Sequence, residues 1–158
     1  MAIVAKFKGI EGESKIHGKT GWVDISHYAF SSHIPISEQG EGFSAGVPDI
    51  SPVDFSMYTG KHTPDLNKRM LKGDRFDEII IEELAVSGNE PKTTFRLTLK
   101  NAYLTGAGNS AHEGTNDRGL QSSVIKYEEM KQEYFKQDGK NWVAGTPVTY
   151  NAKSKLVS

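Results

Sequence analysis

Thr93-Thr94-Phe95-Arg96-Leu97-Thr98-Leu99-Lys100-Asn101-Ala102-Tyr103-Leu104 is the stretch whose pattern decides the fold class. Phe95, Leu97, Leu99 and Tyr103 fall on one side of an extended chain, while Thr94, Arg96, Thr98 and Lys100 fall on the other. Successive side chains of a strand point to opposite faces, so this alternation predicts one buried face and one wet face. Shorter apolar runs lie on either side of it at Ala2 to Lys8, Trp22 to Ile34, Ile50 to Tyr58 and Phe76 to Val86, the last containing Ile79-Ile80-Ile81. Glycine supplies 16 of the 158 residues and falls with Pro, Asn and Asp between these runs; Gly9, Gly12, Gly18 and Gly21 punctuate the first connection. Short strands separated by turn residues predict an all-β, mainly antiparallel domain.

One helix is signposted within that pattern. Thr63 is placed to cap it, Pro64 suits a first helical position because its missing N–H has no partner there, and Asp65 complements the positive end of the helix dipole. Leu66 and Met70 share a face, and Lys72 followed by Gly73 gives a cationic last turn and a left-handed exit, so a short helix is expected over 63–72. Ser123 to Lys136 supports two readings. Its Glu, Met, Lys and Gln residues favour a helix with Tyr127, Met130 and Tyr134 on one face, whereas Ile125, Tyr127 and Phe135 form one side of an untidy strand. The residues alone leave both open. Pro35 to Pro48 and Thr105 to Gly119 read as long loops, of a length that is usually functional in a compact domain.

Length predicts a single domain over 1–158. Nineteen Lys+Arg against 20 Asp+Glu give a net charge of −1, which exerts no general pull toward phosphate backbones or anionic lipid. Nucleic acid is not expected as a partner. The absence of cysteine removes disulfides, thiolate nucleophiles and cysteine-liganded metal sites. Met1 to Ala5 is too short an apolar start for a cleavable signal peptide, and no run approaches the ~20 residues of a membrane span, so neither leader nor membrane insertion is expected.

Motifs that carry chemistry elsewhere are weak here. Gly42-Phe43-Ser44-Ala45-Gly46 has the spacing of a nucleophile elbow, but no buried strand precedes it and Pro48 follows in place of a helix. Gly106-Ala107-Gly108-Asn109-Ser110-Ala111 follows a strand as a dinucleotide fingerprint does, yet His112-Glu113-Gly114 cannot open the helix that would hold a pyrophosphate. His17, His27, His33, His62 and His112 show no paired ligand spacing. Glu82/Glu83 and Glu128/Glu129 are sequence neighbours on opposite faces of a strand and read as solvated charges. No catalytic, cofactor-binding or metal-binding residue is therefore assigned, and no cofactor is expected.

Ile50-Ser51-Pro52-Val53-Asp54-Phe55-Ser56-Met57-Tyr58 followed by Lys61-His62-Thr63-Pro64-Asp65-Leu66 resembles the central block of the Hcp family, the haemolysin-coregulated tube proteins of bacterial type VI secretion. Gly12-Glu13-Ser14, Gly21-Trp22, Leu97-Thr98-Leu99-Lys100-Asn101-Ala102 and Glu133-Tyr134 extend the resemblance in the same order over nearly the whole chain. It implies a two-sheet β-barrel with one short flanking helix, in which Ser123 to Lys136 is strand, and hexameric rings that stack into a tube. It further implies partnership with other secretion components and effector cargo, and export from the bacterial cytoplasm without a signal peptide. His27, Tyr28, Ala29 and Phe30 depart from many relatives, so cargo contacts are not transferred to that wall, and the helix 66–72 is more basic than usual.

The expected function is thus a non-enzymatic, ring-forming tube subunit. The alternative is a soluble barrel that binds a small ligand or single-stranded nucleic acid in a groove, with a small hydrolase acting through Ser44 a third reading. The expected assembly element is the family's extended loop, here Ile36, Gly40, Gly42, Phe43, Ser44 and Gly46. Its glycines loosen the backbone while Ile36 and Phe43 are apolar side chains that a free loop has little reason to display. Phe43 either docks on a neighbouring subunit or folds back onto its own barrel.

Overall fold

A computed structural model describes residues 1–40, 42–87, 90–114, 118–138 and 141–158. The strands in chain order are β1 (Ala2–Phe7), β2 (Val23–Ala29), β3 (Ser32–His33), β4 (Ile36–Gln39), β5 (Gly42–Ala45), β6 (Asp49–Ile50) and β7 (Val53–Tyr58). After helix α1 (His62–Lys72) come β8 (Phe76–Ser87), β9 (Glu90–Ser110), β10 (Leu120–Lys126), β11 (Glu129–Asp138), β12 (Asn141–Ala144), β13 (Val148–Asn151) and β14 (Leu156–Val157). Among the described residues every strand pairing is antiparallel, and the circuit β1-β8-β9-β10-β7-β2 closes on itself as a barrel. Closure satisfies the backbone groups that an open edge leaves free. β11, β13 and β14 extend the sheet beyond β9.

The long strand β9 belongs to both halves of the barrel. Its first part pairs with β8 and β11, its last part with β10. The corner is at Asn101, whose φ of 49° is the left-handed conformation that Asn tolerates better than branched residues. One residue is absorbed there, so Leu97 and Leu99 point inward before the corner and Ala102 and Leu104 after it. Tyr103, expected on the buried side, is therefore exposed. Opposite the corner the chain breaks between β10 and β11, where the Glu128 N–H donates to the Lys100 carbonyl (3.1 Å) and Asn101 Nδ2 to Glu128 Oε2 (3.0 Å). Ser123 to Lys136 is strand on both sides of this kink, and its helix-forming residues yield to the ladder with β9.

Phe7, Phe55 and Phe76 meet at the centre, with ring centroids 5.6 and 5.9 Å apart. Ile79, Ile81, Leu97, Leu99, Met57, Ile125 and Met130 fill the remaining interior. α1 plugs Leu66 into this core and lays Arg69 over the Phe76 ring at 4.1 Å. The helix begins one residue earlier than expected. Lys61 is the capping residue, and Thr63 instead accepts the Gly60 N–H at 3.1 Å, closing the turn that leads in. Gly73 ends the helix with φ 68°, and the Asp74 N–H returns to the Arg69 carbonyl.

Three further expectations are corrected. Trp22 to Ile34 is strand only to Ala29, with β3 a separate short piece, and Ser51-Pro52 divides Ile50 to Tyr58 because proline lacks a donor for the ladder. Thr105 to Ser110 continues β9 paired with β10, so the 105–119 loop starts later than its glycines suggest. Glu82 is buried rather than solvated.

Candidate functional site

Residues 32–50 form a ribbon that leaves the barrel. β3 pairs with β6 at its root, Ser32 opposite Ile50, and β4 pairs with β5 further out, Ile36 opposite Ala45 and Glu38 opposite Phe43. Pro35 to Pro48 is thus a hairpin arm in place of an irregular loop. Gly40 turns it with φ 66°, and the Gly46 N–H donates to the Pro35 carbonyl at 2.7 Å where the arm narrows. Ser37 Oγ donates to the Ser44 carbonyl (3.4 Å), and among the described residues no imidazole or carboxylate meets the Ser44 hydroxyl. The elbow motif is an exposed strand of this arm, and the Gly106–Ala111 motif is largely the end of β9; neither presents a strand-to-helix turn.

Ile36, Phe43 and Val47 are exposed along the arm, Phe43 at 78%. Phe43 does not fold back onto its own barrel. Ile36, Gly40, Gly42, Phe43, Ser44 and Gly46 all lie on this one element, but only Ile36 and Phe43 offer sizeable apolar side chains.

The root is tied to the far end of the chain. Tyr127 Oη donates to the Ser51 carbonyl (2.9 Å), Tyr150 Oη to the Pro48 carbonyl (3.3 Å), and Lys155 Nζ pairs with Asp49 at 2.9 Å. Lys155 holds the Asp49 carboxyl below its ordinary range, and burial raises the Tyr127 hydroxyl well above its own, so both groups keep their present protonation through neutral pH. Sequence reasoning missed these ties because their partners are 76 to 106 residues apart; the tyrosines within a polar C-terminal half were the available signal.

A second missed feature is the cluster around Glu82. Its carboxylate takes Thr93 Oγ1 at 2.6 Å, Lys19 Nζ at 2.9 Å and Arg96 Nε at 3.2 Å. Lys19 also sits over the Trp22 ring, 4.3 Å from its centroid. Burial pushes the carboxyl upward, but Thr93, Lys19 and Arg96 together pull harder, and it stays ionised below its usual range. Period-two reasoning placed Glu82 and Glu83 on opposite faces of a strand and read both as solvated; it could not show that the 8–22 connection folds across the face of β8 that carries Glu82. Among the described residues no three His, Asp or Glu side chains converge as a metal site.

A family model described as type VI secretion system effector, Hcp, matches residues 5–134. Among solved structures the fold is shared with a type six secretion system protein (16% identical, TM-score 0.91, 99% of each chain covered). It is also shared with Hcp1 from Salmonella typhimurium (20% identical, TM-score 0.78, 99% of this chain and 98% of that one). A type VI secretion system effector from Yersinia pestis has the same fold (15% identical, TM-score 0.70, 94% of this chain and 98% of that one). No curated protein matches the chain. A closed antiparallel barrel with one flanking helix and a projecting hairpin, matched by the family model over residues 5–134, makes this chain a member of the Hcp family of type VI secretion proteins.

Proposed function

We propose that the chain is a structural subunit that closes hexameric rings, which stack into the inner tube of a type VI secretion machine. It works by repetition, not by reaction chemistry. Heterologous contacts between copies close a ring when the rotation allows, and a projecting element carries the repeat along an axis. The observation that carries this reading is the arm, a paired hairpin that holds Phe43 in solvent away from its own core. An aromatic ring kept exposed on an ordered element is an anchor for a partner surface. The barrel interior is filled by Phe7, Phe55, Phe76 and their aliphatic neighbours, which disfavours a ligand held inside it. The tube leaves the bacterial cytoplasm through the machine it helps to build and carries effector proteins in its lumen.

Light scattering with electron microscopy tests the reading. The parent should form ring-sized particles and tubes. Phe43→Asp should keep its far-ultraviolet spectrum and lose tubes or rings; a folded variant that assembles as readily as the parent removes the arm from the mechanism, and a stable parent monomer removes the ring.

A further inference from the structure

A cleft of about 350 Å³ opens between the root of the arm and the C-terminal strands. Ile34, Pro48 and Ile50 form one wall; Val148, Tyr150 and Val157 form the other. Ile34, Val148 and Val157 remain 43%, 45% and 57% exposed, so the rim is apolar and wet. The cleft is built in advance of any occupant. The Tyr150 hydroxyl on the Pro48 carbonyl and the Lys155–Asp49 pair bridge its two walls.

We propose that this cleft receives the arm tip of a neighbouring copy, with Phe43 as the inserted side chain; the inference rests on the arm-docking reading above. The cleft has room for one aromatic ring. Its own Phe43 does not line it. Pro48 follows Phe43 by five residue steps, a span of up to about 16 Å at the rise of a strand, and hairpin pairing holds the tip outward.

Charge agrees with this occupant. Between Ile34 and Pro48 the charged residues are Glu38 and Glu41, with no Lys or Arg, and Glu38 is the cross-strand partner of Phe43. The segment 152–158 beside the cleft carries Lys153 and Lys155 and no acid; Lys155 is paired with Asp49 of the cleft wall, which leaves Lys153 as the uncompensated charge of the border. Lys153 is exposed and makes no ion pair among the described residues. An acidic, aromatic-tipped probe and an apolar cleft with a basic border complement each other, and complementary charge fixes register as well as partner. Because tip and cleft are different surfaces of one chain, each copy gives one and takes one, so the contact propagates instead of ending at a dimer.

The chain has no cysteine, which leaves a clean background for cross-linking. Ala45→Cys chains, which keep the Phe43 ring and carry the thiol on the same face of β5, mixed with Val148→Cys chains and oxidised mildly where the parent is oligomeric by light scattering, should give the mixed disulfide about tenfold over Ala45→Cys with Leu71→Cys. Docking raises the effective concentration of one pair alone. Equal yields, or a yield favouring Leu71, overturn the cleft as receptor. Val148→Asp, at an exposed strand position, should lose assembly to the same extent as Phe43→Asp. If Phe43→Asp fails to assemble while folded Val148→Asp assembles normally, the arm reading stands and the cleft is wrong. If both assemble as the parent does, or if the parent stays monomeric up to its solubility limit, both ideas fall. Should Val148→Asp unfold, the cross-link ratio decides.

Discussion

Glu82 and His62 respond to acid for opposite electrostatic reasons. Ionised Glu82 is stabilised by Thr93, Lys19 and Arg96 despite its burial, so its folded-state carboxyl titrates below the ~4.3 of a free Glu. Its contribution is present above that value and is lost as pH falls through the lower folded value. His62 is buried and held neutral, its imidazole lowered chiefly by desolvation against pulls from Glu13 and the Tyr58 carbonyl. The unfolded chain takes up that proton first, so stability also declines as pH falls below ~6.5. Denaturant titrations from pH 7 downward should show both losses, and Glu82→Gln should remove the part below about pH 4. The same substitution should cost about 1.5–3 kcal/mol at neutral pH, the worth of hydrogen bonds to a charged group. Gly12 is a second sensitive position. A Cβ there would stand 2.3 Å from the Trp22 carbonyl oxygen, and the Gly12 N–H donates to the Gly21 carbonyl at 2.7 Å. Gly12→Ala should lower the melting temperature by several degrees, the effect of about 1–2 kcal/mol in a domain of this size. The turn residues Gly12 and Gly21 were legible in the sequence; the close approach of two chain segments that makes Gly12 indispensable was not.

The elements divide by how local their causes are. α1 was legible to within a residue because its stop signal, Lys72-Gly73, and its buried face, Leu66 with Met70, lie inside the helix itself. β9 was legible as a strand, but its corner was not, since nothing in alternation marks where one inward residue is skipped. Asn101 is the clue in hindsight. Asn101→Val should destabilise by about 1–2 kcal/mol, the cost of forcing a left-handed φ on a β-branched residue that lacks the short polar side chain of Asn, while Asn101→Gly should be tolerated despite losing the bond to Glu128. Equal destabilisation by both, measured by chemical denaturation, would mean that the side-chain bond and not the backbone sets the corner. Local preference misleads most at Glu129 to Gln132, where helix-forming residues are strand, because helix propensities of a few tenths of a kcal/mol per residue are outweighed by pairing with β9. The arm shows the converse. Its glycines read as looseness, yet Ile36 to Ala45 pair as a hairpin turned at Gly40.

At the scale of the whole molecule, a barrel of 36% hydrophobic residues with no disulfide gains stability by covering its outer apolar side chains in an assembly. Melting temperature should therefore rise with protein concentration across the range in which rings dissociate, and a monomer that melts with the ring would show that assembly adds nothing. Fold class, the helix, the absence of cysteine chemistry and the unusual apolar content of residues 35–48 follow from the sequence by itself, because periodicity, capping residues and composition are local quantities. Barrel closure, the inward shift after Asn101, the buried Glu82 cluster and the cleft between the arm root and β13 were decided only by the tertiary structure. Each joins segments distant along the chain, Lys19 to Glu82 or Asp49 to Lys155, and no local preference records which distant surface a side chain will meet.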